Sequence, residues 1–103
     1  MVCMEINEVL KLLFKAKEDN ITISNHFIER YENRKYKLPD LSEIINILTN
    51  KTPIGILKQS ETKFRLYYEL DEKYDIIIVI SVWNTNPIII NLVTLYPQEK
   101  KKR

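Results

Sequence analysis

Apolar and polar residues alternate along this chain with two different periods. Over residues 2–19, Ile6, Val9, Leu10, Leu13, Phe14 and Ala16 recur at three- and four-residue spacings. Glu5, Glu8, Lys11, Lys15 and Glu18 stand opposite them, which predicts an amphipathic helix with one buried face. Acids near its start and lysines later suit the helix dipole, and Asn20 marks its stop. Ile21-Thr22-Ile23 is a short extended piece leading to Ser24. A serine there can cap a second helix, predicted over residues 25–34 with Phe27, Ile28 and Tyr31 as its apolar face. Asp40 with Glu43 three residues on has the spacing of a capping box, opening a third helix through residue 50. Leu41, Ile44, Ile45 and Leu48 face inward.

After Ile54 the period falls to two. Phe64, Leu66, Tyr68 and Leu70 alternate with Lys63, Arg65, Tyr67 and Glu69, as in a half-buried strand. Asp71-Glu72-Lys73 turns the chain, and the unbroken apolar run from Ile76 to Val82 predicts a central strand. Asn84-Thr85-Asn86-Pro87 is turn chemistry, Ile88 to Tyr96 is a last strand, and residues 54–58 add one more. Helices first and an antiparallel meander afterwards make an α+β fold. The expectation is N-terminal helices on one face of an antiparallel sheet of about four strands, within a range of three to five. One domain is expected over residues 1–97, followed by a basic flexible tail over residues 98–103.

Composition narrows the class of function. The 103 residues are 45% hydrophobic and 29% charged, the profile of one globular domain. No apolar stretch is long enough to span a membrane, and Glu5, Glu8 and Lys11 interrupt any secretory pattern. With Cys3 as the single cysteine, no internal disulfide can form, and a reducing cytoplasm is the expected setting. One cysteine and one histidine are too few for a usual zinc site, and no paired-carboxylate motif stands out, so neither a metal nor a cofactor is expected. The single glycine, Gly55, excludes Gly-rich phosphate loops. The +2 net charge comes from the tail: Lys100 to Arg103 carry four positive charges, which leaves −2 on residues 1–99. Any anion-binding role must therefore rest on a local basic stripe.

Such a stripe exists. His26, Arg30 and Arg34 follow one another at four-residue spacing, so an imidazole and two guanidinium groups share one flank of the second helix. Two cations suited to phosphate stand there beside a group that exchanges protons near neutral pH. In the last strand Thr94 and Tyr96 point to one face, and a tyrosine ring can stack on a base. The commoner role of such a tyrosine is to close the core, here over Trp83 or Phe27. Lys63, Arg65 and Tyr67 interleave basic and aromatic side chains on one side of a strand, which suits unpaired nucleotides and equally suits solvent.

The run Ile21-Thr22-Ile23-Ser24-x-His26-x3-Arg30-x3-Arg34, with a meander closing in Val93-Thr94-Leu95-Tyr96-Pro97, resembles small RelE-like proteins of the barnase/EndoU/colicin/RelE-like nuclease superfamily. The resemblance covers residues 21–97. Lys35-Tyr36-Lys37 stands where that family usually has a glycine. The resemblance implies metal-independent RNA cleavage, with the toxin of a toxin–antitoxin pair as one setting. It carries over His26 and Arg30 as site positions, with Arg34, Thr94 and Tyr96 beside them, while Arg65 rests on its strand position. The implied partners are RNA, in a ribosome-associated setting or free, and an acidic antitoxin protein. Cleavage through a 2′-hydroxyl needs a base, an acid and cations for the phosphate. His26 fits base or acid and Arg30 and Arg34 the clamp. Tyr96 suits positioning, because a tyrosine with a pKa of ~10 is a poor base at neutral pH. Two other classes stay open: a non-catalytic RNA- or protein-binding module, and a small interaction protein that dimerises through its first helix.

Overall fold

The computed structural model describes residues 4–100, with Lys37 described by its backbone alone. Cys3 and the last three residues lie outside the described residues. Three helices, α1 (Ile6–Lys15), α2 (Asn25–Arg34) and α3 (Leu41–Asn50), combine with five strands. The strands are β1 (Ile21–Ile23), β2 (Gly55–Lys58), β3 (Lys63–Glu69), β4 (Tyr74–Thr85) and β5 (Ile88–Glu99). They form a single sheet in the order β1-β5-β4-β3-β2, so the fold is α+β and the isoleucine-rich β4 is central.

β2 through β5 pair antiparallel, as the meander requires, but β1 runs parallel to β5, with Ile21 opposite Ile90 and Ile23 opposite Leu92. The sheet is therefore mixed. Three residues that look like a linker form its edge strand, held by pairing with a segment far along the chain.

The first helix is shorter than its periodicity predicts. Met4 N–H donates to the Glu61 carbonyl (3.1 Å), which holds the chain extended before the helix, and the Glu8 carboxylate accepts from Glu5 N–H (3.1 Å). At the other end the Asn20 side-chain oxygen accepts from Lys17 N–H (2.8 Å) while its amide donates to the Ile88 carbonyl (3.1 Å). Those local bonds replace helical ones and turn residues 18–20 into a 3₁₀ turn that delivers β1 to the sheet. α2 and α3 keep their expected limits. Ser24 Oγ accepts from Phe27 N–H (3.1 Å), a working N-cap. Asp40 occupies the N-cap position of α3, yet its carboxylate makes no cap hydrogen bond, so the expected box is not formed.

The core lies between the helices and one face of the sheet. Val9, Leu12 and Leu13 of α1, Phe27 of α2 and Ile44, Ile47 and Leu48 of α3 are buried there. They meet Phe64, Leu66 and Tyr68 of β3, the even-numbered residues Ile76 to Val82 of β4, and Ile90, Leu92 and Leu95 of β5. Leu92 and Leu95 are three residues apart, which a regular strand cannot put on one face. The register shift between Val79 and Ile80 leaves Val93 without an opposite residue, and this bulge lets both leucines enter the core. β5 also runs on to Glu99, and Lys100 is tied by its N–H to the Lys73 carbonyl (2.8 Å) and by its ammonium to Glu69 (3.1 Å). Gln98 and Glu99, expected in the tail, thus belong to the sheet, and Lys100 is tied to its edge. No helix is long and apolar enough to cross a membrane among the described residues.

Candidate functional site

Among the described residues the three helices pack in the core on one face of the sheet and none lies on the second face, whose pattern follows from the register. One row runs Tyr67–Ile77–Tyr96, the next Arg65–Val79–Thr94, and the next Lys63–Ser81–Asn91. Ile77 is 0% exposed although it points away from the helices, because side chains of the flanking strands, with Tyr67 and Tyr96 in its own row, close over it. The apolar run in β4 is thus buried on both sides by different means: helices below, long polar and aromatic side chains above.

The bulge at Val93 sets the upper face as well as the core. After it, Thr94 and Tyr96 both lie on the helix-free side, as their two-residue spacing suggests. Tyr96 does not close a core over Phe27, which is buried on the opposite face, nor over Trp83, which is 59% exposed and six residues along β4 from Ile77.

β1 protects the edge of β5 only as far as Leu92, and α2 takes over where β1 ends. Its stripe reaches the sheet there. Arg30 Nη1 donates to Thr94 Oγ1 (3.2 Å), and Arg34 Nη1 donates to the Leu95 carbonyl (2.8 Å). The two arginines are therefore used differently. Arg34 satisfies an edge backbone acceptor that has no strand beside it, whereas Arg30 is anchored to a hydroxyl on the helix-free face. His26 stands one turn before Arg30, exposed and without a hydrogen-bond or ion-pair partner among the described residues.

Arg65 faces Thr94 across Val79 and is held from two sides. With the Gln59 amide oriented so that its oxygen faces the guanidinium, that oxygen accepts from Nη2 (2.9 Å) and Nε (3.2 Å). A hydrogen bond with Tyr67, and then the proximity of Tyr96, raise the Arg65 pKa above its ordinary value. The result is a permanently charged fork beside two aromatic rings. Four of the six residues singled out in the sequence, Arg30, Arg65, Thr94 and Tyr96, share this face. Arg34 is committed to the backbone, and His26 sits at the margin. Tyr67 and Gln59 complete the setting. Tyr67 was legible from strand alternation, but Gln59 lies in a loop and gives no sequence signal. Among the described residues there is no group of three or more His, Cys, Asp or Glu side chains placed to hold a metal ion.

The MJ0788 family matches residues 7–80, most of the chain. This chain belongs to the MJ0788 family. The uncharacterized protein MJ0788 of Methanocaldococcus jannaschii is 41% identical over 64 residues, covering 62% of this chain and 81% of that protein. No solved structure matches the chain. The MJ0788 family match includes His26, Arg30, Arg34 and Arg65 and ends within β4, before Thr94 and Tyr96.

Proposed function

We propose that this MJ0788-family chain is a metal-independent endoribonuclease that binds unpaired RNA on the helix-free face of its sheet. The observation that carries the reading is the Arg30–Thr94 hydrogen bond, which brings a helix cation to the face that bears Arg65, with Val79 between them. A phosphodiester lying over Val79 would meet Arg30 on one side and Arg65 on the other. Such cations stabilise the charge that builds on phosphorus as a 2′-hydroxyl attacks. Tyr96 and Tyr67 offer rings for unpaired bases, which every base can use because every base has a π-face. His26, one turn from Arg30, takes the proton of the 2′-hydroxyl or returns one to the leaving oxygen. Thr94 acts through Arg30 as a positioning residue. The same basic surface suits an acidic antitoxin segment as a protein partner, and the RelE-like resemblance of the stripe supports that assignment.

A second reading is favoured by one observation: among the described residues His26 has no partner to orient its ring. In that reading the face binds RNA without cutting it. Incubation of a labelled single-stranded RNA with the chain in chelator separates the two. Specific cleavage, abolished in His26→Ala and Arg30→Ala, supports the nuclease; salt-sensitive binding with intact RNA assigns a binding module. A folded chain that neither cleaves nor binds the RNA overturns both readings.

A further inference from the structure

The helix-free face continues beyond the arginine row, toward a residue that the site described above does not use. Between Val82 and Asn84 the β4–β5 register shifts again, and Trp83 has no opposite residue. Val82 enters the core, while Ile89, opposite Asn84, alternates with the buried Ile90 and so lies on the helix-free side. The bulge thus sets Trp83 on the side of Arg65 and Tyr96, where it is 59% exposed. Ordinary packing does not account for that exposure, since tryptophan is among the costliest side chains to leave in water.

From Ile77 to Trp83 is six residues of strand, about 20 Å at ~3.3 Å per residue. The surface between them is built for an anion with flat rings. Arg65 and Lys63 lie along one side of β4, and Asn91 and Thr94, with Arg30 above it, along the other. The acids of this face, Glu69 and Asp75, stand at the opposite end, in the row beyond Tyr67 and Tyr96. There Glu69 is paired with Lys100 (3.1 Å) and Asp75 is buried. From Tyr67 to Trp83 the strand positions of this face are basic, neutral polar or apolar.

Resting on the RNA reading above, we infer that this face is an extended track for about four unpaired nucleotides, with Trp83 stacking the base at the end remote from Tyr96. About four nucleotides is the lower limit of single-strand site sizes on comparable sheet surfaces, ~4–16. The track runs along β4, its phosphates following Arg30, Arg65 and Lys63, and its two ends are aromatic. A duplex is excluded by the same chemistry, because its bases are stacked on one another and present no free ring faces.

Trp83 is the chain's single tryptophan, so its fluorescence reports on this end of the track alone. The test titrates hexauridylate and diuridylate into the wild type, Trp83→Ala and Arg65→Ala, with melting curves to verify folding. Hexauridylate should quench the wild-type fluorescence, and Trp83→Ala should weaken its binding roughly 10- to 100-fold, the worth of one stacked base. Diuridylate, which the Arg65 end can seat alone, should bind Trp83→Ala within about twofold of wild type, whereas Arg65→Ala should weaken both. If Arg65→Ala weakens both oligonucleotides while Trp83→Ala and the fluorescence are silent, the track is overturned and the RNA site stands. If neither oligonucleotide binds the wild type, both are overturned. A wild type that dimerises while Trp83→Ala stays monomeric would give the face to a second copy, which also overturns the track.

Discussion

Replacing Arg34 and Arg30 by alanine, one at a time, should separate structural from functional use of the same helix stripe. Arg34 makes a charge-assisted hydrogen bond of 2.8 Å to the Leu95 carbonyl, at an edge of β5 that β1 does not reach. Bonds to charged groups contribute ~1.5–3 kcal/mol when buried, and this one is only half-buried, so about 1–2 kcal/mol is expected for Arg34→Ala. At this chain length about 4–5 °C of melting temperature corresponds to each kcal/mol, so the variant should melt roughly 5–10 °C lower. Arg30 is bonded to a threonine hydroxyl that water can serve equally well, so Arg30→Ala should cost no more than about 0.5 kcal/mol. Alanine is the better helix former at both positions by a similar small margin, which leaves the difference intact. Affinity for single-stranded RNA should rank in reverse. Arg30→Ala should weaken binding and reduce the slope of log affinity against log salt by ~0.7, one phosphate contact, while Arg34→Ala should keep the wild-type slope. Thermal melts by circular dichroism and binding at several salt concentrations measure both rankings. A melt of Arg34→Ala that matches wild type, or a larger loss of RNA affinity from Arg34→Ala than from Arg30→Ala, would refute the assignment.

Four further outcomes are expected. The Tyr68 hydroxyl is buried without a hydrogen-bond partner among the described residues, so Tyr68→Phe should stabilise the fold by roughly 1 kcal/mol in denaturant titrations. Burial also pushes the Tyr68 pKa above its ordinary value; its contribution is complete below pH ~10 and is lost as pH rises beyond that, so wild-type stability should fall more steeply in alkali than that of Tyr68→Phe. Gly55→Ala should stabilise β2 by about 0.5–1 kcal/mol, because an added Cβ would meet the Tyr67 ring at 3.7 Å, an ordinary contact. Phe27→Ala, at a fully buried position between α2 and the sheet, should cost ~3–5 kcal/mol and leave little folded chain to assay.

Much of this architecture can be read from local chemistry, and the parts that cannot have identifiable physical causes. Ser24 fixes the start of α2, and the alternation through Lys63–Leu70 sorts β3 into two faces. The run Ile76–Val82 announces a central strand because it is short, β-branched and bounded by turn residues, the pattern of a strand buried on both faces. The parallel pairing of β1 escapes notice because its partner, residues 90–92, lies at the other end of the chain and nothing in Ile21-Thr22-Ile23 specifies it. The end of α1 is missed because Asn20 is used twice, once by Lys17 and once by Ile88, and the second use is invisible locally. Within the site, the common face of Thr94 and Tyr96 follows from spacing. The different fates of Arg30 and Arg34 depend on where β1 stops, which spacing does not contain. The bulge at Trp83 is a matter of register between two strands, so the exposure of that ring emerges only when β4 and β5 are paired.

In the proposed function, Arg65 and Tyr96 on the sheet and His26 and Arg30 on α2 act together on one RNA phosphodiester. Cleavage of a labelled single-stranded RNA in chelator, by wild type, His26→Ala and Arg65→Ala at matched folded concentration, tests it most directly. Wild type should cleave to fragments ending in a 2′,3′-cyclic phosphate, with rates reduced about 10²–10⁴-fold in His26→Ala and substantially in Arg65→Ala, at unchanged melting temperatures. Wild-type cleavage that persists in both variants, or RNA left intact by a folded wild type, would contradict it.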